Sequence, residues 1–291
     1  MVNQRIPHRE LKESILNFID YQFKKGFPFG ELSFIHYRML NGPDSEEIFD
    51  VCAAIEMLIL CFDILDDLED NDSIDSDKPW LDRPDLALNS TTTLLFLSKM
   101  VLENTSFQNK EKAISMFLEY SFNSIIGQHT DLLNTAKTET EYLEMTEKRS
   151  GSLVSLACSI GSVLAIEDYP PEIEIYSNYI GIIAQITNDL EDVRSWDRKN
   201  DLLNRKFTLP TIYLLNLEDE EANAIRNYYN NQLKVEWVLN NKEMIGRKLV
   251  ESGAIIYAEV IKKNYQKKAI AEIQKLNINQ KYFERLLKYI I

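Results

Sequence analysis

Apolar residues along the chain recur three and four positions apart, the period of an α-helix, and alternation bounded by hairpin turns is hard to find. The recurrence predicts helices over roughly 8–25, 45–70, 91–104, 109–135, 139–166, 171–196, 208–231 and 253–276, with a shorter one near 279–290. Several starts are marked locally. Asp44 with Glu47, and Thr138 with Glu141, have capping-box spacing, and Pro170-Pro171 precedes another periodic segment. Nine Gly and eight Pro are few for 291 residues, and no repeat, low-complexity tract or long Gly/Ser linker divides the chain. Glu69 to Asp85 and Arg194 to Lys206 read as the longest loops. The expectation is one all-α domain over residues 1–291.

Charge narrows the partners. With 32 Lys+Arg against 46 Asp+Glu, the formal net charge is −14. Nucleic acid and anionic membrane surfaces would be repelled. An anionic substrate would need local neutralisation, for which a bound metal is the obvious means. Cys52, Cys61 and Cys158 lie in apolar stretches without metal-like spacing and read as small buried residues of a reducing compartment. Met1 to Glu13 is too polar for a secretory signal. The uncharged run Ser150 to Ile166 is rich in Ser and Gly and falls short of the ~20 apolar residues a spanning helix needs. A soluble cytoplasmic protein without stable membrane insertion is expected.

Two segments carry the chemistry. In Glu56 to Asp70, the residues Asp63, Asp66, Asp67 and Asp70 fall at i, i+3, i+4 and i+7, one stripe of a helix. Their neighbours Leu58, Ile59, Leu60, Phe62, Ile64 and Leu65 are apolar, so the helix should be largely buried. Several carboxylates on a buried face are costly unless a cation compensates them. The plain alternative is a helix end entering a solvated acidic loop, since Asp72, Asp75 and Asp77 follow. In Ile182 to Asp192, Gln185, Asn188, Asp189 and Asp192 repeat the same spacing behind another apolar stretch. Two such helices facing each other would present oxygen ligands to a shared cavity, which suits Mg²⁺ with substrate phosphates. Three His and three Cys, scattered, disfavour a zinc or iron site.

Cations complete the set. Lys148-Arg149 precedes Ser150-Gly151, Arg205-Lys206 precedes Phe207-Thr208-Leu209-Pro210, and Gly127-Gln128 stands before Asp131 on another helix. An Arg or Lys opposite Mg²⁺ can hold a diphosphate and stabilise charge as it leaves. Each pair alone is also what a solvated helix end looks like; the ordered combination gives them weight.

Asp66-Asp67-Leu68-Glu69-Asp70 resembles the first aspartate-rich motif of the trans-isoprenyl diphosphate synthases, the polyprenyl synthetase superfamily. Glu56 stands where that family usually has a glutamate. Gly127-Gln128…Asp131-Leu132 is similar to its Gly-Gln-x-x-Asp-Leu segment, and Arg149-Ser150-Gly151 sits where Lys-Thr-Gly is usual. Gln185…Asn188-Asp189-Leu190-Glu191-Asp192 resembles the second aspartate motif, and Asp201-Leu202…Lys206-Phe207-Thr208-Leu209-Pro210 the segment beyond it. The resemblance runs in order from about residue 45 to 215. It implies an isoprenoid-synthase fold, a single helical bundle around a central active-site cavity. There an allylic diphosphate would bind through about two or three Mg²⁺ ions and ionise.

The departures matter as much. Elongating members carry Gly-Lys-Arg near the N-terminus, where this chain has Phe29-Gly30-Glu31-Leu32. They carry Arg-Arg-Gly-x-Pro after the first motif, where it has Asp75-Ser76-Asp77-Lys78-Pro79. Acids in place of those cations would repel the diphosphate of isopentenyl diphosphate, so the expected acceptor is not a diphosphate. This combination resembles the ComQ family of bacterial quorum-sensing modifiers, which attach a geranyl- or farnesyl-type group to a tryptophan of a precursor peptide pheromone. By that resemblance Asp66, Asp67, Asp70, Asp189 and Asp192 hold Mg²⁺, and Asn188 does so more weakly because it replaces an aspartate. Arg149, Lys206 and Lys148 hold the departing diphosphate; Asp66, Asp67, Asp189, Arg149 and Lys206 carry the catalysis. Gln128, Gln185 and Phe62 bind substrate, Phe62 lying one turn before Asp66 where side-chain bulk sets pocket depth; ordinary core packing is its plain alternative. Trp80, Trp196 and Trp237 read as packing or rim residues. The resemblance also allows a homodimer.

Three other readings compete. They are a short-chain prenyl diphosphate synthase that adds isopentenyl diphosphate, a class I terpene cyclase, and a non-catalytic acidic helical binding protein. Against the cyclase stand Asp192 and Trp196, where its second motif usually has Ser or Thr and then Glu.

Overall fold

The computed structural model describes residues 2–69, 77–196 and 200–291, and no strand occurs among the described residues. In chain order the helices are α1 (Val2–Arg5), α2 (Arg9–Phe23), α3 (Pro28–Met39), α4 (Glu47–Glu69), α5 (Pro84–Glu103), α6 (Lys110–Leu132) and α7 (Glu139–Thr146). A π turn, Glu147–Gly151, follows. Then come α8 (Ser152–Ala165), α9 (Glu172–Asp192), α10 (Leu209–Leu215), α11 (Glu220–Tyr229), α12 (Val235–Asn240), α13 (Lys242–Glu251), α14 (Ala254–Lys275) and α15 (Gln280–Leu287). None of them is long and apolar enough to cross a membrane.

The chain packs as two units. The first comprises residues 1–121, 153–174 and 277–286, the second 122–152, 175–276 and 287–291. In the first, Ile15 and Phe18 of α2, Leu60, Cys61 and Ile64 of α4, and Ala87, Leu94 and Leu97 of α5 form one apolar cluster with Trp80. In the second, Tyr142 and Met145 of α7 pack with Ile182, Ile186 and Leu190 of α9, Leu209 and Ile212 of α10, and Ala258 of α14. Each such buried aliphatic side chain contributes about 1.5–3 kcal/mol, which offsets the burial of the polar residues on the same helices. Cys61 and Cys158 are buried, Cys52 is half-buried, and all are free thiols.

The long periodic segments are where the pattern puts them, and the differences have local causes. The Thr138–Glu141 capping box forms: Thr138 Oγ1 accepts from Glu141 N at 3.3 Å, and Glu141 Oε2 from Thr138 N at 3.0 Å. The Asp44–Glu47 box does not. Asp44 is drawn off by Arg38 at 2.6 Å, Ser45 Oγ takes the Glu47 N–H at 3.2 Å, and the Glu47 carboxylate accepts from Ser106. Helix α3, whose Pro28 and Gly30 look like loop punctuation, is capped from elsewhere. Its N-cap Phe27 makes no side-chain cap, and Glu56 Oε1 on α4 accepts from Gly30 N at 2.6 Å. Helix α5 opens at Pro84, earlier than its apolar pattern suggests, with proline in the first turn. The expected 208–231 helix is divided because Asp219 starts a new one, its side chain accepting from Ala222 N at 3.0 Å. Helices α12 and α13 are additional to the expected set, and 139–166 is interrupted by the π turn.

Candidate active site

In the first unit the carboxylate stripe lies at the C-terminal end of α4. Asp63 is exposed, Phe62 and Asp66 are half-buried, and Asp67 is buried; Asp70, Asp75 and Ser76 lie outside the described residues. Asp67 is engaged by its own chain: Trp80 Nε1 donates to Oδ2 at 2.9 Å, and the Lys78 ammonium pairs with Oδ1. Trp80 is fixed edge-on by Phe18 and Tyr21, with ring centroids 5.7 and 5.0 Å away. Sequence reading placed Trp80 in the packing, and it is buried, but its grip on Asp67 had no local signal: the two stand a loop apart. At the segments comparable to the cation motifs of elongating synthases, the described cations are tied to acids. Lys78 holds Asp67, and the acid Glu31 of the other segment draws Arg285 of α15 to 2.7 Å.

The second unit gathers most of the remaining candidates. Asp189, buried near the end of α9, accepts from the Tyr142 hydroxyl of α7 and from Gln185 Nε2 at 2.8 Å. Gln185 Oε1 in turn accepts from Ser150 Oγ at 2.7 Å. Burial pushes the Asp189 carboxyl up to about 6; the hydrogen bonds from Tyr142 and Gln185 oppose the shift, Asp131 adds to it and Arg149 reduces it. Arg149 Nη1 donates to Asp131 Oδ2 at 2.9 Å, and Lys206 Nζ lies 3.5 Å from the same oxygen. Both chosen cations thus converge on one carboxylate of α6. Gln128 is half-buried on that helix, Lys148 and Asn188 are exposed, and Asp192 is half-buried.

Two residues gain roles that sequence reading missed. Asp201 is buried, and its Oδ2 has no hydrogen-bond partner among the described residues. Burial first, then Asp189 and Asp192, raise its carboxyl well above the ordinary range, while Lys206 lowers it. Arg205 looks like a second diphosphate cation but is turned away. Its guanidinium donates to the carbonyls of Tyr228 at 2.9 Å and Leu233 at 3.2 Å and stacks on the Tyr228 ring. Its backbone takes a left-handed φ of 53°, and Asn134 Nδ2 donates to its carbonyl at 2.8 Å. The arrangement fixes the turn from which Lys206 points back to Asp131.

Among the described residues, no three or more Asp, Glu, His or Cys side chains already converge as a metal cluster. The donor set nonetheless suits a hard divalent cation. It is all oxygen, and Asp131, Asp189, Asp192 and Asp201 raise one another's proton affinity or that of a neighbour, as expected of carboxylates with too little positive charge among them.

Residues 19–242 match the sequence pattern named polyprenyl synthetase. The chain belongs to the polyprenyl synthetase family. Membership makes it an enzyme of prenyl transfer. This polyprenyl synthetase family member is 37% identical over 287 residues to the tryptophan prenyltransferase ComQ of Bacillus subtilis subsp. natto, covering 99% of this chain and 88% of that one. It is 34% identical to the tryptophan prenyltransferase ComQ of Bacillus spizizenii, covering 97% of this chain and 99% of the other. Among solved structures, polyprenyl synthase from Caulobacter crescentus, complexed with calcium and isoprenyl diphosphate, superimposes with a TM-score of 0.79. The alignment is at 17% identity and covers 91% of this chain and 83% of that one. That likeness shows the isoprenoid-synthase helical fold.

Proposed function

We propose that the protein transfers an isoprenyl group from an allylic diphosphate to a tryptophan side chain of a precursor pheromone peptide. The observation that carries this reading is the similarity, over nearly the whole chain, to two enzymes named tryptophan prenyltransferase. The tying of Lys78 to Asp67 and of Arg285 to Glu31 supports it, because those cations are then not offered to a second diphosphate.

Asp66, Asp67 and Asp70 of the first motif, and Asn188, Asp189 and Asp192 of the second, would hold Mg²⁺. Bound there, Mg²⁺ neutralises the diphosphate and makes it a better leaving group. Arg149 and Lys206, already side by side on Asp131, take up charge on the departing oxygen, and the exposed Lys148 would add to them. The allylic carbon–oxygen bond breaks, the electron pair leaves with the diphosphate, and an indole carbon of the acceptor attacks the cation. The resulting indolium then loses a proton. An electron-rich indole needs no strong base for its attack, so the protein's part is positioning, charge stabilisation and exclusion of water. Gln128 and Gln185 orient the donor, and Phe62 limits its length.

The exposed apolar residues Phe122, Ile125, Ile126 and Leu132 on the C-terminal half of α6, with Leu133 just beyond it, support a homodimer, since such a stripe is costly to leave in water. Light scattering on the eluting protein tests that part. A cytoplasmic site of action goes with the unmodified precursor as substrate.

The deciding experiment mixes the protein with Mg²⁺, geranyl or farnesyl diphosphate and a tryptophan-bearing precursor peptide, and reads the peptide mass. A gain equal to one prenyl group, mapped to tryptophan, is expected. An unchanged peptide together with condensation of the donor with isopentenyl diphosphate would overturn the reading in favour of an elongating synthase.

A further inference from the structure

The passage from α7 to α8 is not a smooth helix. Glu147–Gly151 forms a single π turn, in which one residue is accommodated in excess of the α-helical register and local carbonyls lose their usual partners. This turn carries Arg149 and Ser150.

Two helices of the same unit pack onto its backbone through glycines. A Cβ on Gly127 of α6 would lie 2.3 Å from Arg149 N and 2.7 Å from its Cα. A Cβ on Gly181 of α9 would lie 2.4 Å from Ser150 O and 2.6 Å from Gly151 Cα. Both positions admit only glycine without backbone movement.

Each helix also reaches the turn one helical step to either side of its glycine. Before it, Ser124 Oγ donates to Arg149 O at 2.9 Å, and Asn178 Nδ2 to Glu147 O at a longer 3.5 Å. After it, Asp131 receives Arg149 Nη1 at 2.9 Å, and Gln185 Oε1 receives Ser150 Oγ at 2.7 Å. Ser124-Gly127-Asp131 and Asn178-Gly181-Gln185 thus share one spacing: a donor to a carbonyl of the π turn, a backbone contact, and a partner for a side chain the turn presents. Gln185 passes the link on to Asp189.

We propose that Gly127 and Gly181 are positioning residues for prenyl transfer. By holding the π turn against two helix backbones they aim Arg149 and Ser150, and Ser124 steadies the same turn. This rests on the reading in which Arg149 holds the departing diphosphate. Ordinary close packing would account for the glycines too, but predicts a cost in stability alone. Positioning predicts a cost in chemistry at retained fold, because displacements near 1 Å in a catalytic group cost about a hundredfold in rate.

The test uses the full chain and Gly127→Ala, Gly181→Ala, Ser124→Ala and Ser124→Thr variants. The readouts are helical circular dichroism, melting temperature, kcat and KM for the allylic diphosphate, and calorimetric affinity for inorganic pyrophosphate with Mg²⁺. Expected are parent-like helicity, a kcat about a hundredfold lower in either alanine variant, and weaker pyrophosphate binding in Gly127→Ala. Ser124→Ala should lose several-fold in kcat, and Ser124→Thr should restore it. Folded glycine variants with kcat and pyrophosphate affinity within twofold of the parent would overturn the proposal, whatever their melting temperature. If the glycine variants fail to fold, the Ser124 pair decides, equal kcat in both counting against it. The pyrophosphate arm needs no acceptor, so it separates failure of this proposal from failure of the tryptophan reading.

Discussion

Trp80 donates its indole N–H to Asp67 Oδ2 at 2.9 Å while the Lys78 ammonium holds the other oxygen. Asp67 is buried, so its charge depends on these partners. Removing one partner of a buried ion pair leaves an uncompensated charge, which typically costs about 3–5 kcal/mol. Lys78→Met is therefore expected to lower stability by about 3 kcal/mol, with Lys78→Met/Asp67→Asn recovering much of the loss. Trp80→Phe, which keeps the ring packing and drops the hydrogen bond, should cost about 1–3 kcal/mol. Urea denaturation of the single and double variants checks the set; additive losses at positions 67 and 78 would contradict it.

Glu56 supplies the pH dependence. Burial pushes its carboxyl up to about 7, the N–H groups of Gly30 and Phe29 favour the charged form, and Asp63 raises it further. The folded-state value lies above the ordinary 4.5, so the folded protein binds the proton more tightly than the unfolded chain. That contribution to stability is whole below about 4.5 and is lost as pH rises through about 7. Glutamine can still accept from Gly30 but carries no charge. Glu56→Gln should match the parent near pH 4 and exceed it by up to about 3 kcal/mol near pH 8. Melting temperatures across that range give the answer, and a difference independent of pH would refute it.

Arg149 and Lys206 meet on Asp131, within 2.9 and 3.5 Å of the same oxygen. Arg149→Gln should reduce kcat by about a hundredfold to a thousandfold through loss of charge stabilisation. Arg149→Lys should restore only part, because a point charge does not reproduce the guanidinium fork. Steady-state rates with saturating donor test this. Asp189→Ala and Asp67→Ala should abolish transfer at unchanged helicity, which would also reject a non-catalytic binding protein.

Phe62 stands one turn before Asp66 and is half-buried. If its bulk sets the depth available to the donor, Phe62→Ala should shift preference toward longer allylic diphosphates. A chain-length series of donors reads this directly. Unchanged preference with lowered stability would return Phe62 to ordinary packing.

How much of this was legible in the residues depends on whether the cause is local. Helices α4 and α9 declare themselves, because their apolar period and the i, i+3, i+4, i+7 carboxylates lie within one segment. The convergence of Arg149 and Lys206 was suggested by motif order. The cap of α3 was not legible, because Glu56 delivers it from another helix across a loop. The π turn was hidden for a different reason: residues 146–152 are polar, charged or Gly, so no apolar spacing reports the helical register there. Arg205 misled because a basic pair says nothing about direction, and here the backbone conformation sends one cation to carbonyls and the other to Asp131.

The Lys78 contact bears on how the protein stands idle. A motif carboxylate already balanced from within asks nothing of the medium between turnovers, so exhaustive treatment with a chelator should silence turnover and leave the architecture of the first unit standing.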